Sequence, residues 1–246
     1  MIDLHTHILP DWDDGAADMA EAKQMIALAR KDGISKIVLT PHVYRMTKHG
    51  DDLKGLGGRV EALLRQQRLL DIELFAGAEV YIHADMIRHI KDYALTVNGS
   101  SYVFIEFPAE HVPGGVTKLV YQMMLDGLIP IISHPERNAV FAQTPEILYE
   151  LIKQGAIGQV TSQSITGGFG KKTQKTAESF LRHGLVHLIA SDAHNATTRP
   201  PQLAEAVDTA AKIVGPERAD AMVNDVPGAI LADEQVPDFG EPVNPG

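Results

Sequence analysis

Nine residues of this chain carry side chains that bind divalent metals and recur at comparable places: His5, His7, Asp14, His42, Glu79, Glu106, His134, Asp192 and His194. Five imidazoles and four carboxylates are more than one ion needs, since first-row metals take about four to six donors, so two or three ions are implied. Any one of these residues alone reads as an ordinary structural or solvated group. Gathered at one place without cations, so many buried ionisable groups would cost roughly several kcal/mol each, and bound metals remove that objection.

The elements that must position them follow from hydrophobic patterning. Short apolar, β-branched runs alternate with helical periodicity throughout, the signature of a parallel α/β sheet or barrel. Seven strands are predicted: 1–5, 36–40, 72–78, 102–107, 129–133, 157–161 and 187–191. Helices are predicted over 17–31, 52–70, 83–91, 116–126, 145–154, 171–183, 202–214 and 217–224; in the second, Val60, Leu63, Leu64 and Gln67 repeat at helical spacing. The metal-binding residues fall at strand ends, and Asp14 follows in the loop after the first strand. The C-terminal strand ends of a (β/α) barrel form one rim, so such residues meet in space although distant in sequence. Side chains two apart on a strand share a face, which lets His5 and His7, and likewise Asp192 and His194, converge on an ion. Asp3 has the same parity and reads either as an acceptor orienting a ligand imidazole or as a structural acid. Trp12 and Tyr44, near the rim, read as candidates for stacking on an aromatic substrate or as ordinary loop aromatics.

Composition narrows the function classes. The 246 residues, 44% hydrophobic, suit one globular domain. A net charge of -10 with no long basic block argues against a nucleic-acid partner. There is no cysteine, hence no disulfide framework, thiolate nucleophile or Cys-type zinc site. Asp3, His5 and His7 interrupt any signal-peptide core, and no apolar run approaches about 18 residues, so a cytoplasmic chain without membrane insertion is expected. The domain is expected to span 1–231, followed by an acidic, proline-bearing tail over 232–246 that is mobile or loosely docked.

The segments HTH (5–7), DDG (13–15), TPH (40–42), GAE (77–79), IEF (105–107), SHPER (133–137) and SDAHN (191–195) resemble the ordered motifs of the PHP (polymerase and histidinol phosphatase) family. They are most similar to its bacterial branch of manganese-dependent tyrosine-protein phosphatases, encoded with capsule or exopolysaccharide assembly systems. The resemblance runs from Met1 to about residue 230, with MIDLHTHILPDWDDGA as its most telling stretch. It implies a single-domain, distorted (β/α)7 barrel. It implies one metal held by His5, His7, Glu79 and Asp192, a second by Glu79, Glu106 and His134, and a third by Asp14, His42 and His194, with Glu79 bridging the first two. Manganese is the family's ion, though iron or zinc suit the same donors. Arg137 and Arg199 match positions that bind the substrate phosphate. The implied partner is a phosphotyrosine protein, the C-terminal tail of a tyrosine autokinase; oligomerisation is left open. One departure stands out: QVTSQSITGGFG (159–170) replaces Asn-rich sequence of some relatives.

The implied chemistry is in-line attack on phosphorus by a metal-activated hydroxide, with the two guanidiniums neutralising charge. A phenolate leaving group, with a parent pKa of about 10, needs little help from an acid; His42 or His194 serve as proton donors only where not committed to metal. A histidinol-phosphate phosphatase of the same superfamily is the alternative, disfavoured because the Cys- and His-bearing stretch of those relatives is replaced by ILPDWDDGA. A PHP nuclease lacks a basic track here, and a non-catalytic scaffold is disfavoured by the intact ligand set.

Overall fold

The computed structural model describes residues 1–49, 52–66 and 70–245. Nine strands occur among them: β1 (Ile2–Thr6), β2 (Lys36–Leu39), β3 (His42–Val43), β4 (Glu73–Ala76), β5 (Glu79–Tyr81), β6 (Tyr102–Glu106), β7 (Ile129–Ile132), β8 (Ile157–Thr161) and β9 (Leu188–Ala190). All pairings are parallel. One sheet runs β1-β2-β4 and the other β3-β5-β6-β7-β8-β9. A parallel bridge between Thr6 and Ala193 returns the circuit from the end of β9 to β1.

The seven predicted strands become nine because two staves break. The second breaks between Leu39 and His42 and the third between Ala76 and Glu79. Pro41 has no N–H for the ladder, which interrupts the second stave. Two threonines replace the missing pairing: Thr6 N donates to Thr40 Oγ1 (2.9 Å), Thr40 N to Thr6 O (2.9 Å) and Thr6 Oγ1 to Val38 O (2.8 Å). Beyond the break the chain re-pairs, with His42 opposite Glu79 and Tyr81 opposite Glu106. The result is a distorted (β/α)7 barrel, as the family resemblance implies.

Helices pack around this frame. The first, Met19–Lys31, is capped by Asp18, whose carboxylate accepts from Ala20 N and Glu21 N, and it buries Met25, Ile26 and Ala29. The second predicted helix is shorter, Leu53–Leu64; Gln67 and the rest of 67–69 lie outside the described residues. Short helices at Ala139–Gln143, Ser162–Thr166 and Asp225–Leu231 were not predicted, because segments of five to seven residues carry too little periodicity.

Most helical apolar faces join one large core, while a smaller cluster unites Leu4, Val38, Phe104, Ile131 and Leu188 with Val226 and Ile230 of the last helix. Val236 and Phe239 pack against this second cluster, Tyr102 Oη donates to Glu234 O (2.8 Å), and Val243 N donates to His183 O (2.8 Å). The segment over 232–245 thus lacks regular structure yet lies pinned across the N-terminal ends of β6 to β9, rather than loosely attached. No helix among the described residues is long and apolar enough to cross a membrane.

Candidate active site

His5 on β1 and His7 just past its end aim the same way, and their Nε2 atoms end 3.2 Å apart. Each ring is held from behind: His5 Nδ1–H donates to Gln159 Oε1 (3.2 Å) and His7 Nδ1–H to Asp13 Oδ2 (2.9 Å). Fixing the outer nitrogen as the protonated one leaves two Nε2 lone pairs facing each other, an arrangement that needs a cation or a proton between them. Around the same point stand Glu79 Oε2, 3.3 Å from His5 Nε2 and 3.5 Å from His7 Nε2, and Asp192 Oδ1, 3.6 and 3.4 Å from the same atoms.

A second grouping adjoins it. His42 Nδ1 lies 3.0 Å from Glu79 Oε2 and 3.5 Å from Glu106 Oε2, while His134 Nε2 lies 3.1 Å from Glu79 Oε1. On the other side of the His42 ring, Nε2 is 3.4 Å from Asp14 Oδ1, which His194 Nε2 also approaches to 3.4 Å. Donor atoms within 4.8 Å of one another form three sets able to hold an ion: His7, Asp14, His42 and His194; His5, His7 and Asp192; His42, Glu79 and Glu106. All nine residues singled out in the sequence are therefore together. These sets differ from the implied partition: His7 and His42 each fall in two of them, the two nitrogens of His42 facing different groups, and His134 falls in none.

Placement of the last pair has a different origin from that expected. Strand β9 ends at Ala190, so Asp192 and His194 meet through a loop rather than strand parity. Asp192 adopts a left-handed backbone (φ 50), its N–H donates to His5 O (2.9 Å), and His194 Nδ1–H donates to Asp192 O (2.9 Å). His134, also left-handed (φ 32), turns its chain off β7, and Gln159 Oε1 accepts its N–H (3.0 Å). Left-handed backbone at two non-glycine site residues is strain of the kind that clusters at functional sites.

Charge in the site is set by burial against close partners. Burial pushes Glu79 up, but His5 and His42 outweigh it and hold the carboxyl well below its ordinary range. Glu106 moves the other way, to about 7, because it is buried beside the Glu79 charge. Burial and the Arg137 guanidinium together bring His134 down to about 4. Buried Asp192 is nonetheless held well below the usual carboxylate range by Arg199, His194 and Arg137.

Arg137 and Arg199 both pair with Asp192 Oδ2, and Arg199 Nη2 also donates to Asp192 O (3.0 Å). Asn195 Oδ1 folds the Arg199 loop by accepting from the N–H groups of Thr197, Thr198 and Arg199. Buried Glu136 braces the turn before Arg137, accepting from Thr161 N (3.0 Å) and Ser164 Oγ (2.6 Å). Both arginines line a cavity of about 80 Å³ with Asp14, His42, Glu106 and His134.

A third arginine, Arg45, lines it too and donates to Glu106 Oε1 at 2.7 Å. Sequence reasoning missed Arg45, whose only signal was its position shortly after the TPH segment, as Arg137 follows SHP. Asp13 was also missed: beyond His7 it accepts from His42 N (2.9 Å) and Gly15 N (2.9 Å), a bracing role that its neighbour Asp14 masks. Asp3 proves to be the structural acid, taking Ser191 N (3.0 Å) rather than an imidazole. Trp12 is fully buried, its Nε1–H donating to His42 O (2.9 Å), so it cannot stack on a substrate. Tyr44 is half-buried between the rings of His83 and His89, and its Oη lies 2.6 Å from His89 Nδ1.

Three comparisons bear on this arrangement. The family model described as "Capsular polysaccharide synthesis, CpsB/CapC" matches residues 1–232. The chain is 36% identical over 227 residues to the tyrosine-protein phosphatase YwqE of Bacillus subtilis (strain 168), covering 88% of this chain and 86% of the relative. It is 30% identical over 243 residues to the tyrosine-protein phosphatase CpsB of Streptococcus pneumoniae, covering 96% and 100%. A solved structure described under YwqE and CpsB as "unique metal-dependent tyrosine phosphatases" superposes with a TM-score of 0.91 at 32% identity, over 99% of both chains. A histidinol phosphate phosphatase from Lactococcus lactis, at 14% identity and a TM-score of 0.56 over 88% of this chain and 93% of that one, shares the fold alone. With the family model spanning nearly the whole barrel and the motifs carrying it gathered at one rim, this chain belongs to the CpsB/CapC family of capsular polysaccharide synthesis.

Proposed function

We propose that the chain is a metal-dependent phosphatase that hydrolyses phosphotyrosine in proteins. The observation carrying this reading is that buried His42 Nδ1, Glu79 Oε2 and Glu106 Oε2 have no hydrogen-bond partner, although they converge on one point. Unsatisfied buried carboxylate oxygens facing a bare ring nitrogen fit a divalent cation, and arginines line the same cavity as a phosphate group requires. The names of the relatives supply the substrate class.

The proposed ligands are His5, His7, Glu79 and Asp192 for one ion, Glu79, Glu106 and His134 for a second, and Asp14, His42 and His194 for a third, with His42 turned toward both of the latter sets. Divalent ions bound here would supply positive charge for the phosphoryl oxygens and make a water acidic enough to react at neutral pH. Manganese is the proposed ion, and the His and carboxylate donors also suit iron or zinc.

Arg137 and Arg199 orient the phosphoryl group through planar, permanently charged forks, with Arg45 on the Glu106 side of the cavity. His194, whose Nδ1–H is committed to Asp192 O, presents a bare Nε2 and acts as a ligand rather than an acid. A phenolate departs without a strong proton donor, so the chemistry is complete with these groups. The proposed protein substrate is the phosphorylated C-terminal tail of a tyrosine autokinase in capsule assembly, supported by the family's place in capsular polysaccharide synthesis.

Glu79→Gln keeps the shape of the side chain and removes its charge. Turnover of a phosphotyrosine peptide is expected to fall at least about a hundredfold, with loss of bound metal by elemental analysis. Full activity in the variant, or in chelator-stripped protein, would defeat the reading.

A further inference from the structure

The segment GGFG (167–170) follows β8 and the short helix after it, and none of the roles above uses it. Helix Ser162–Thr166 stops at Gly167, which is left-handed (φ 91), and Gly170 (φ 89) lets the chain turn again. Gly168 N donates to Gln163 O (2.8 Å) and Gly170 N to Gly167 O (2.9 Å), so the loop is tightly closed with Phe169 at its tip. Gln163 Nε2 donates to Thr198 O (2.7 Å), tying this loop to the one that presents Arg199.

Phe169 is half-buried and belongs to neither hydrophobic cluster. Its ring instead lies against both phosphate-facing guanidiniums, with its centroid 4.7 Å from Arg137 Cζ and 5.8 Å from Arg199 Cζ. Two turns that favour glycine thus hold a large aromatic side chain out of the core and beside the guanidiniums that bind the phosphoryl group. The ring stands beside two of the three arginines that line the cavity.

We propose that Phe169 is a specificity-determining residue whose half-buried ring packs against the aryl group of phosphotyrosine while Arg137 and Arg199 hold its phosphate. This rests on the phosphotyrosine reading above. Aromatic pairing adds to simple area burial, and an alkyl phosphate such as phosphoserine has no ring to offer, so the contact favours the aryl ester by about tenfold.

The test compares metal-loaded wild-type protein with Phe169→Ala and Phe169→Tyr, using a phosphotyrosine peptide, the same peptide with phosphoserine, and inorganic phosphate as a competitive inhibitor. In Phe169→Ala, KM for the phosphotyrosine peptide rises about tenfold while kcat stays within about twofold. Phosphoserine turnover and inhibition by phosphate stay unchanged, and Phe169→Tyr restores the preference. An unchanged preference in Phe169→Ala overturns the proposal, as does inhibition by phosphate that weakens in step with KM, which would mean that the ring acts through the arginines. A wild-type enzyme without preference for phosphotyrosine would refute the substrate reading itself, and this proposal with it.

Discussion

His187 shows how a single side chain can set acid stability far from the chemistry. It lies half-buried between the 235–242 segment and the start of β9, and its Nδ1 accepts from Gly158 N at 3.1 Å. Burial, then the nearby Arg218 guanidinium, lowers its pKa from the ordinary 6.5 to about 4. The unfolded chain therefore takes up this proton first, so the contribution is intact above pH 6.5 and is lost progressively as pH falls toward 4. His187→Asn can still accept from Gly158 but cannot titrate. Between pH 7 and pH 5, denaturant unfolding is expected to show the variant losing less stability than wild type, by on the order of 1 kcal/mol. Parallel losses in the two proteins would assign the acid limb elsewhere.

At the scale of elements, the loop after β1 matters as much as the strand. Trp12 is buried beneath it, Asp13 braces His7 and His42, and Asp14 reaches the His42 and His194 rings. The turn closes because Gly15 lies against β1's continuation: a Cβ there would sit 2.0 Å from His7 O, and Ala16 N donates to that same oxygen (3.0 Å). Gly15→Ala cannot be absorbed by moving a flexible side-chain tip, since the obstacle is backbone. A loss of about 1 to 3 kcal/mol is expected by thermal unfolding, with weakened metal binding because His7 and Asp13 shift together. A variant with unchanged melting and metal affinity would show that the loop relaxes freely.

Across the whole molecule, function and closure occupy opposite ends of the barrel. The rim of gathered His, Asp and Glu side chains lies at the C-terminal strand ends, while residues 232–245 cover the N-terminal ends, where Ser101 N donates to Asp233 Oδ1 (2.7 Å) and Arg218 Cζ sits 4.9 Å from the Phe239 ring. This separation predicts that deleting residues 235–246 lowers stability by about 2 to 4 kcal/mol, from lost burial of Val236 and Phe239, and leaves kcat/KM on a phosphotyrosine peptide within a few-fold. Calorimetry and steady-state kinetics on the same preparation decide it. A deletion that abolishes activity while the protein stays folded would mean that the two ends are coupled.

From residue types and spacing alone came the alternating α/β architecture, seven strands and every member of the gathered His, Asp and Glu set, because strand period and chain order survive in one dimension, while the closed barrel came from the family resemblance. Tertiary structure decided which atoms face one another. Only folding sets His5 on Gln159, His7 on Asp13 and Arg45 on Glu106, contacts between residues 6 to 154 positions apart that no local pattern records. The same limit explains Trp12, whose burial beneath a loop is invisible to periodicity, and Phe169, whose meaning depends on two arginines brought to it from other staves. Local spacing fixes the direction in which a side chain leaves its element, and long-range packing fixes what it meets there.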